Sequence, residues 1–489
     1  MKSLFHRIIS AATAISLTLA LTSCISINLP KDDASKETEK EKCESAVVEY
    51  DYDIVENDFM RLMNSYLNFM GDADFGGSSF LIATPDTALV DGDGAGLALS
   101  EDVALRNRDV ENKLNVKISS KKIDSDSMYD AVYNACLSND YFADIIMIPQ
   151  YRVYQYAAAG ILFNLNSLPF ADFESGFNIE SGVTAAMAGS TGWALGGWAT
   201  LDEDSLPAVF FNKELIEKTG LADPYDLVES GEWTWDAFFE YTSALSGINA
   251  ERTAEGLSDA YSFGSQNSAD SLADAVYFSE GNRFILSGLG NVPAVAMDQD
   301  SSYHTMQTEQ SLFNDPQRIQ NPLEAVNVFA DGGSMFLIDS LGTMKTISNS
   351  KAVWGVLPMP KKGTDQENYR SLVSPDGLMY AVPANTTGQE KVSRVMSAMN
   401  ICSLGFFVDA YLKDCMYYYL RDNDSVASVE KVCYGAVWDM AYSAGGYDAA
   451  IPNATYFAVR NIYENNNDIQ FYLDSYAFGA NNALSRLFP

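Results

Sequence analysis

Histidine is almost missing from this 489-residue chain, which has only His6 and His304. Zinc sites built on histidine need more of it, and with His6 in the expected signal a Ser-His-Asp triad would have to use His304, which sits in a polar, loop-like stretch without a nucleophile elbow. Cysteine is nearly as scarce. The six, Cys24, Cys43, Cys136, Cys402, Cys415 and Cys433, lack the close paired spacings of a zinc site, and reduced thiols are expected rather than a disulfide framework. Positive charge is the third shortage: 31 Lys and Arg stand against 66 Asp and Glu, a formal net charge of −35. A surface of that sign repels phosphate backbones and argues against nucleic acid as a partner. No Gly-x-x-x-x-Gly-Lys-Ser/Thr phosphate loop occurs. Beyond the N-terminus no run is long and apolar enough to cross a bilayer.

What is present begins with a positive n-region, Lys2 and Arg7, and an apolar stretch from Ile8 to Leu21 broken only by small polar residues. It ends in Leu21-Thr22-Ser23-Cys24, an order that reads as a bacterial secretory signal and resembles a lipobox. The expectation is cleavage after residue 23, acylation of Cys24, and a protein held on the extracellular face of the cytoplasmic membrane by lipid alone. Residues 24–56 follow as a charged tether with almost no apolar periodicity, too polar to offset the entropy of ordering.

Beyond the tether the chain has the composition of a globular protein, 47% hydrophobic and 12% aromatic. Apolar residues recur at three and four from Val55 to Met70, which predicts a helix. The run Phe80 to Thr84 reads as a buried strand, Leu97 to Leu114 as a helix, and Val116 to Ser119 as a strand. Ser127 to Leu137 is a further helix and Ala143 to Ile148 a further buried strand. This β-α-β-α-β alternation predicts an α/β domain of parallel strands, with ligands outside their carboxyl ends. A second such region starts near Trp193, with a strand at Ala208 to Phe211, a helix at Lys213 to Thr219 and Gly220 past its end. Thr234 suits the N-cap of the next helix, and that capping gives the neighbouring Trp233 and Trp235 a structural role. Trp354, in a strand-like run, is expected to pack.

The segment FFNKELIEKTGLADPYDLVESGEWTWDAFFEYTSAL, Phe210 to Leu245, resembles the strand-helix-TWDEF segment of extracellular solute-binding proteins of ABC transporters, the family 1 or maltose-binding-protein-like group. Further matches run in order along the chain: Arg106-Asn107 with Glu111, Asp144-Ile145-Ile146 before Gly160-Ile161-Leu162, Gly332 to Phe336, Gly355 to Pro360, and Tyr456-Phe457-Ala458-Val459-Arg460. The resemblance implies a two-lobed α/β fold of the type II periplasmic-binding-protein class, closing on a ligand held between the lobes. Carried onto this chain, lobe 1 spans 57–195 plus 377–410 and lobe 2 spans 196–376 plus 411–489. The crossings fall near 192–200 and 374–380, where Gly196, Gly197 and Gly377 permit hinge rotation or simply a tight turn.

The family's sugar binders stack aromatic rings on pyranose faces and bond the hydroxyls with acids, amides and Arg. The stacking candidates are Trp198, at the proposed hinge beside Gly196 and Gly197, Tyr277, which opens Tyr-Phe-Ser-Glu-Gly-Asn-Arg, and Tyr456, which the resemblance sets at a stacking tryptophan; the polar candidates carried over are Asp86, at the end of the first strand, Arg152 and Asp339. Leu341 and Ile148 stand where the pattern has tryptophans, which argues against maltodextrin itself. The string Asp91-Gly92-Asp93-Gly94-Ala95-Gly96 has a calcium-loop look but lacks the oxygen ligand at its fifth position, and reads as a glycine-rich loop. No metal, cofactor or catalysis is expected.

The partners implied are a small-molecule ligand, foremost an oligosaccharide, and ABC permease subunits, with the receptor a monomer. A peptide or other polar metabolite stays open as ligand. The competing classes are an extracellular glycosidase, for which 66 acids guarantee chance pairs, and a surface adhesion lipoprotein.

Overall fold

In this computed structural model the described residues are 64, 67, 68 and 70–488, except 94–95, 174–177, 289–290, 298, 405–406 and 466–468. The expected signal, Cys24, Cys43, the tether and most of the helix predicted before Met70 lie outside them.

Lobe 1 opens with β1 (Ser78–Thr84), α1 (Leu97–Leu114), β2 (Val116–Lys122), α2 (Ser125–Ser138) and β3 (Ile145–Pro149). All five follow the sequence pattern to within a few residues. Every residue of β3 is buried, as expected of a strand covered on both faces. Helix α1 turns Leu99, Val103, Val110 and Leu114 inward at helical spacing and, among them, Arg106. That guanidinium is fully buried; it donates to Leu89 O at 2.8 Å and lies 4.9 Å from the centre of the Phe407 ring. After β3 comes a short helix α3 (Glu180–Thr184), and the chain crosses into lobe 2.

Lobe 2 holds β4 (Pro207–Asn212), α4 (Trp235–Ala254), β5 (Tyr261–Gly264), α5 (Ala269–Ser279), α6 (Gln299–Phe313), β6 (Ser334–Ser340) and β7 (Trp354–Pro358). The chain then returns as β8 (Leu378–Ala381) and α7 (Gln389–Ser403). It ends through α8 (Phe407–Tyr418), α9 (Asn423–Tyr434), α10 (Met440–Ala444), α11 (Tyr456–Asn465) and α12 (Phe478–Leu487).

The sheet orders are β8-β3-β1-β2 and β7-β4-β6-β5. Neither is wholly parallel, against the expectation from alternation. Strand β8 runs antiparallel to β3, and β4 antiparallel to both β6 and β7. Strand β4 starts the second sheet after the long stretch that leaves β3, and β8 returns to the first sheet after β7 of the second, so neither is joined to its antiparallel neighbour by a β-α-β unit.

One apolar core runs through both lobes, from Ala83, Ile146 and Ile148 to Ala208, Phe210 and Trp354. A second, around Trp233, Trp235, Phe238 and Phe336, fills the other face of the lobe 2 sheet. A third lies under the C-terminal helices, where Tyr277, Phe284 and Tyr442 pack together. Thr234 caps α4 by accepting from Ala237 N. The indole N–H groups of Trp233, Trp235 and Trp354 donate to Pro358 O, Ser279 Oγ and Ile347 O, the structural role expected of them. Within Gln389–Tyr418, which holds α7 and α8, the composition is apolar enough to pass for a membrane span, which the sequence reading missed. Its apolar window is 88% buried, so it belongs to the core. Cys136, Cys402, Cys415 and Cys433 are free thiols.

Gly96, at the N-cap of α1, offers no side chain to the helix's orphan N–H groups. The carboxylate of Asp414 on α8 does so from far along the chain, accepting from Ala98 N at 3.1 Å and Leu99 N at 3.2 Å. Replacing this buried cap, Asp414→Ala, is expected to cost about 1–2 kcal/mol. Urea denaturation reads the loss, and Asp414→Asn, which keeps one acceptor, should retain most of the stability.

Candidate functional site

The lobes meet where separate stretches of chain run side by side. Leu195 and Tyr380 exchange backbone hydrogen bonds in both directions, at 2.8 and 2.9 Å, which ties the outgoing crossing to the returning one. Beside them Ser371–Leu372 pairs in parallel with Ala436–Val437. The glycines here serve close approach. A Cβ on Gly196 would lie 3.0 Å from the Trp438 indole, and one on Gly182 of α3 would lie 2.4 Å from Gly196 O. Gly377 closes a tight turn through Gly377 N to Ser374 O.

This packing leaves a cavity of about 210 Å³ at the seam. Helix α3 contributes Glu180, Ser181 and Thr184, and later segments of the chain contribute Arg283, Trp438 and Asp439. The cavity adjoins the carboxyl end of β3, since Gln150, the next residue, donates from Nε2 to Asp439 O at 2.6 Å. Two buried polar atoms beside it have no partner, Gln150 Oε1 and Trp438 Nε1. Asp439 is itself fully engaged: it accepts from Phe284 N, Ile285 N and Ala441 N, so it pins the 283–285 segment and caps α10. Burial pushes its carboxyl up to about 6, although Arg283 and the backbone N–H groups act the other way. Arg283 hangs from Trp438 O by Nη1 at 2.6 Å.

None of these lining residues was singled out from the sequence. Asp439 stands just before a short helix and was open to reading as an N-cap, whereas Arg283 and Trp438 carry no local signal. They are brought together only by packing between segments about 155 residues apart.

The six residues predicted from sequence do not form one site. Tyr277 is a correction: it is 1% exposed, with its ring stacked on Phe284 at 4.7 Å, so no ligand can reach its face. Trp198, 8% exposed, meets Tyr434 edge-on and belongs to the core rather than to a stacking platform. Tyr456 stacks on Tyr442 at 5.3 Å, and the Arg460 guanidinium lies 4.9 Å from its centre. That guanidinium is paired with buried Asp274, which Tyr442 also bonds, so the Tyr456 ring is built into a protein network. Arg152 pairs with Asp126 and donates to Ser125 O, which ties it to the start of α2. Asp339 is 4% exposed and accepts from Ser340 N and Gln266 N, an anchor for the loop after β5.

Asp86 alone stays exposed at the end of a strand, after β1, and it lies within electrostatic reach of Asp202. Asp202 is exposed to solvent, yet desolvation is the main cause that raises its carboxyl, ahead of the charges of Asp204 and Asp86. Next to it in sequence Glu203 is buried, with its carboxyl pushed up to about 8 by burial. Asp204 joins the elements around it, accepting from Tyr411 OH and pairing with Lys345. His304, expected in a loop, lies within α6 and bonds Glu280 at 2.9 Å. Of the calcium-like string, residues 94–95 lie outside the described ones. Among the described residues no group of three or more His, Cys, Asp or Glu is arranged to hold a metal ion.

No protein-family model matches the chain, and no curated protein matches it in sequence. Among solved structures, a cyclo/maltodextrin-binding protein in complex with maltotetraose is 13% identical, covering 83% of this chain and 96% of its own, with a TM-score of 0.51. This chain has that fold. The GacH receptor of Streptomyces glaucescens, solved unliganded and with acarbose, is 15% identical over 84% of this chain and 98% of its own, with a TM-score of 0.47. The two-lobed α/β class expected from the sequence is thus the class found.

Two outcomes follow from the seam. Gly196→Ala drives a methyl group against the Trp438 ring and the Gly182 backbone, and overpacking of this kind costs about 1–3 kcal/mol; urea unfolding of the variant reads it. Protonation carries the second. Asp274 and Asp439 are raised to about 6 and Glu203 to about 8, each above its unfolded value. Their stabilising contribution is therefore complete at acid pH and is lost as pH rises through 6 and then 8. Melting temperature should be higher near pH 5 than near pH 8; equal values, or the reverse order, would contradict these environments.

Proposed function

We propose that this protein is an extracellular solute receptor that captures an oligosaccharide between its two lobes and delivers it to an ABC permease. The observation that carries the reading is the polar cavity at the seam, to which α3 and later segments of the chain both contribute and beside which buried hydrogen-bonding atoms wait without partners. A ligand bridging Ser181 and Thr184 on one side and Arg283 on the other would favour the closed arrangement by its differential contacts. The bound maltotetraose of the solved structure with this fold supports a sugar as the ligand class. The volume is below the ~300–1,000 Å³ usual for drug-sized ligands, which suits one sugar ring held tightly with the rest of the chain outside.

On this reading the N-terminal segment is a lipoprotein signal, Cys24 carries the lipid, and the receptor works on the extracellular face of the cytoplasmic membrane. It performs no catalysis; the solved structures with which it aligns are of binding proteins.

The test is a thermal-shift screen of the protein begun at residue 24 against mono- and oligosaccharides and peptides, with chromatography of every sugar afterwards. One sugar family should raise the melting temperature, a ligand at a hundred times its Kd adding about 2.7 kcal/mol, and should be recovered intact. Cleaved sugar would replace the receptor with a glycosidase, and a shift with peptides alone would displace the sugar.

A further inference from the structure

The seam cavity sets a guanidinium beside two carboxylates, Glu180 and Asp439. In a protein of net charge −35, two guanidinium groups stand together here, Arg283 on the cavity wall and Arg370 close by. Burial weakens the basicity of both, and for Arg283 the neighbouring Arg370 weakens it further, although Asp439 opposes this. Each is held through Nη1 by a backbone carbonyl and not by a carboxylate: Trp438 O for Arg283, at 2.6 Å, and Gly281 O for Arg370, at 3.1 Å. The Nε and Nη2 edge of Arg283 is not sealed from solvent. Of the two acids on the wall, Asp439 spends its carboxylate on three backbone N–H groups, and Glu180 is exposed.

Two partly desolvated guanidinium groups that hydrogen-bond to no carboxylate are costly to bury, and the charges of Asp439 and Glu180 on Arg283 offset this only in part. The group that fits them is planar, has two oxygens and carries one negative charge, because the guanidinium fork meets a carboxylate through two parallel hydrogen bonds. We propose that the ligand is an acidic oligosaccharide and that the cavity takes the carboxylate of one hexuronate unit on the open edge of Arg283. Ser181 and Thr184 then face the hydroxyls of the same ring. The inference rests on the receptor reading above and adds the charge of the ligand to it.

The test is calorimetric titration of the unaltered protein with a hexuronate oligomer, its methyl ester and the neutral hexose oligomer of the same linkage. The ester keeps size and shape while removing the charge. The acid should bind at least tenfold more tightly than either uncharged counterpart, and Arg283→Gln should weaken the acid far more than the ester, closing the gap between them. Ester or neutral sugar binding as tightly as the acid would overturn the inference and leave the oligosaccharide reading standing. Binding of none of the three would count against both. Because Arg283 also supports Trp438 O, the comparison of acid with ester on the unaltered protein decides the matter without a variant, and Arg283→Lys, which keeps the charge but loses the fork, should fall between.

Discussion

Among the described glycines, the closest approach of a Cβ position to another backbone is between Gly182 and Gly196. Gly182 and Gly196 have no room for a side chain, and the Trp438 ring closes over the second of them. With Leu195 and Tyr380 paired beside this contact, the two crossings are fixed relative to each other. Tyr380 belongs to β8, so this pairing ties the 195–196 segment to the edge of the first sheet. The cavity is a by-product of the same geometry. It lies where Trp438 leaves the crossing and the 283–287 segment, pinned by Asp439, comes across to meet α3.

The acidic composition takes on a second meaning in this setting. Part of it is solvated surface, as a large negative charge normally is. Part of it is internal and does the work of missing backbone partners. Asp414 caps α1, Asp439 holds Phe284 N and Ile285 N, and Asp339 holds Gln266 N. Asp144 accepts from Leu81 N and Tyr141 OH while Lys391 balances its charge. In each case a carboxylate reaches from one segment to the N–H groups of another, and charge-assisted bonds of this kind are stronger than neutral ones. A protein that lacks disulfides among its described cysteines and has few cations ties its long loops down with acids.

The aromatic residues show why position in a family pattern is weak guidance to a site. Tyr456 matches a stacking position of the family pattern, Trp198 stands at the proposed hinge and Tyr277 opens its local string, and each finds its ring partner inside the protein instead. An aromatic face buries the same area whether its partner is a pyranose or a phenyl ring, so sequence does not distinguish the two uses. For Tyr456 the deciding residues are Tyr442 and Arg460, and the latter is held in place by Asp274, far back on α5.

Local patterns by themselves determined the strands and helices of the first lobe, the N-cap at Thr234 and the structural roles of Trp233, Trp235 and Trp354. Each depends on residues within a turn or two of one another, and the spacing of apolar side chains records which face is buried. The order of matched segments along the chain carried the two-lobed class as well. Tertiary structure alone decided the strand directions at the crossings, the reason for the glycines, and the site. A strand's direction depends on the end from which it enters a sheet, and a glycine's role depends on what stands opposite its missing Cβ. Arg283, Ser181 and Trp438 become a cavity only because segments some hundred to 250 residues apart are folded onto one seam. Hydrophobic periodicity reports burial, and it holds no information about which buried surface meets which.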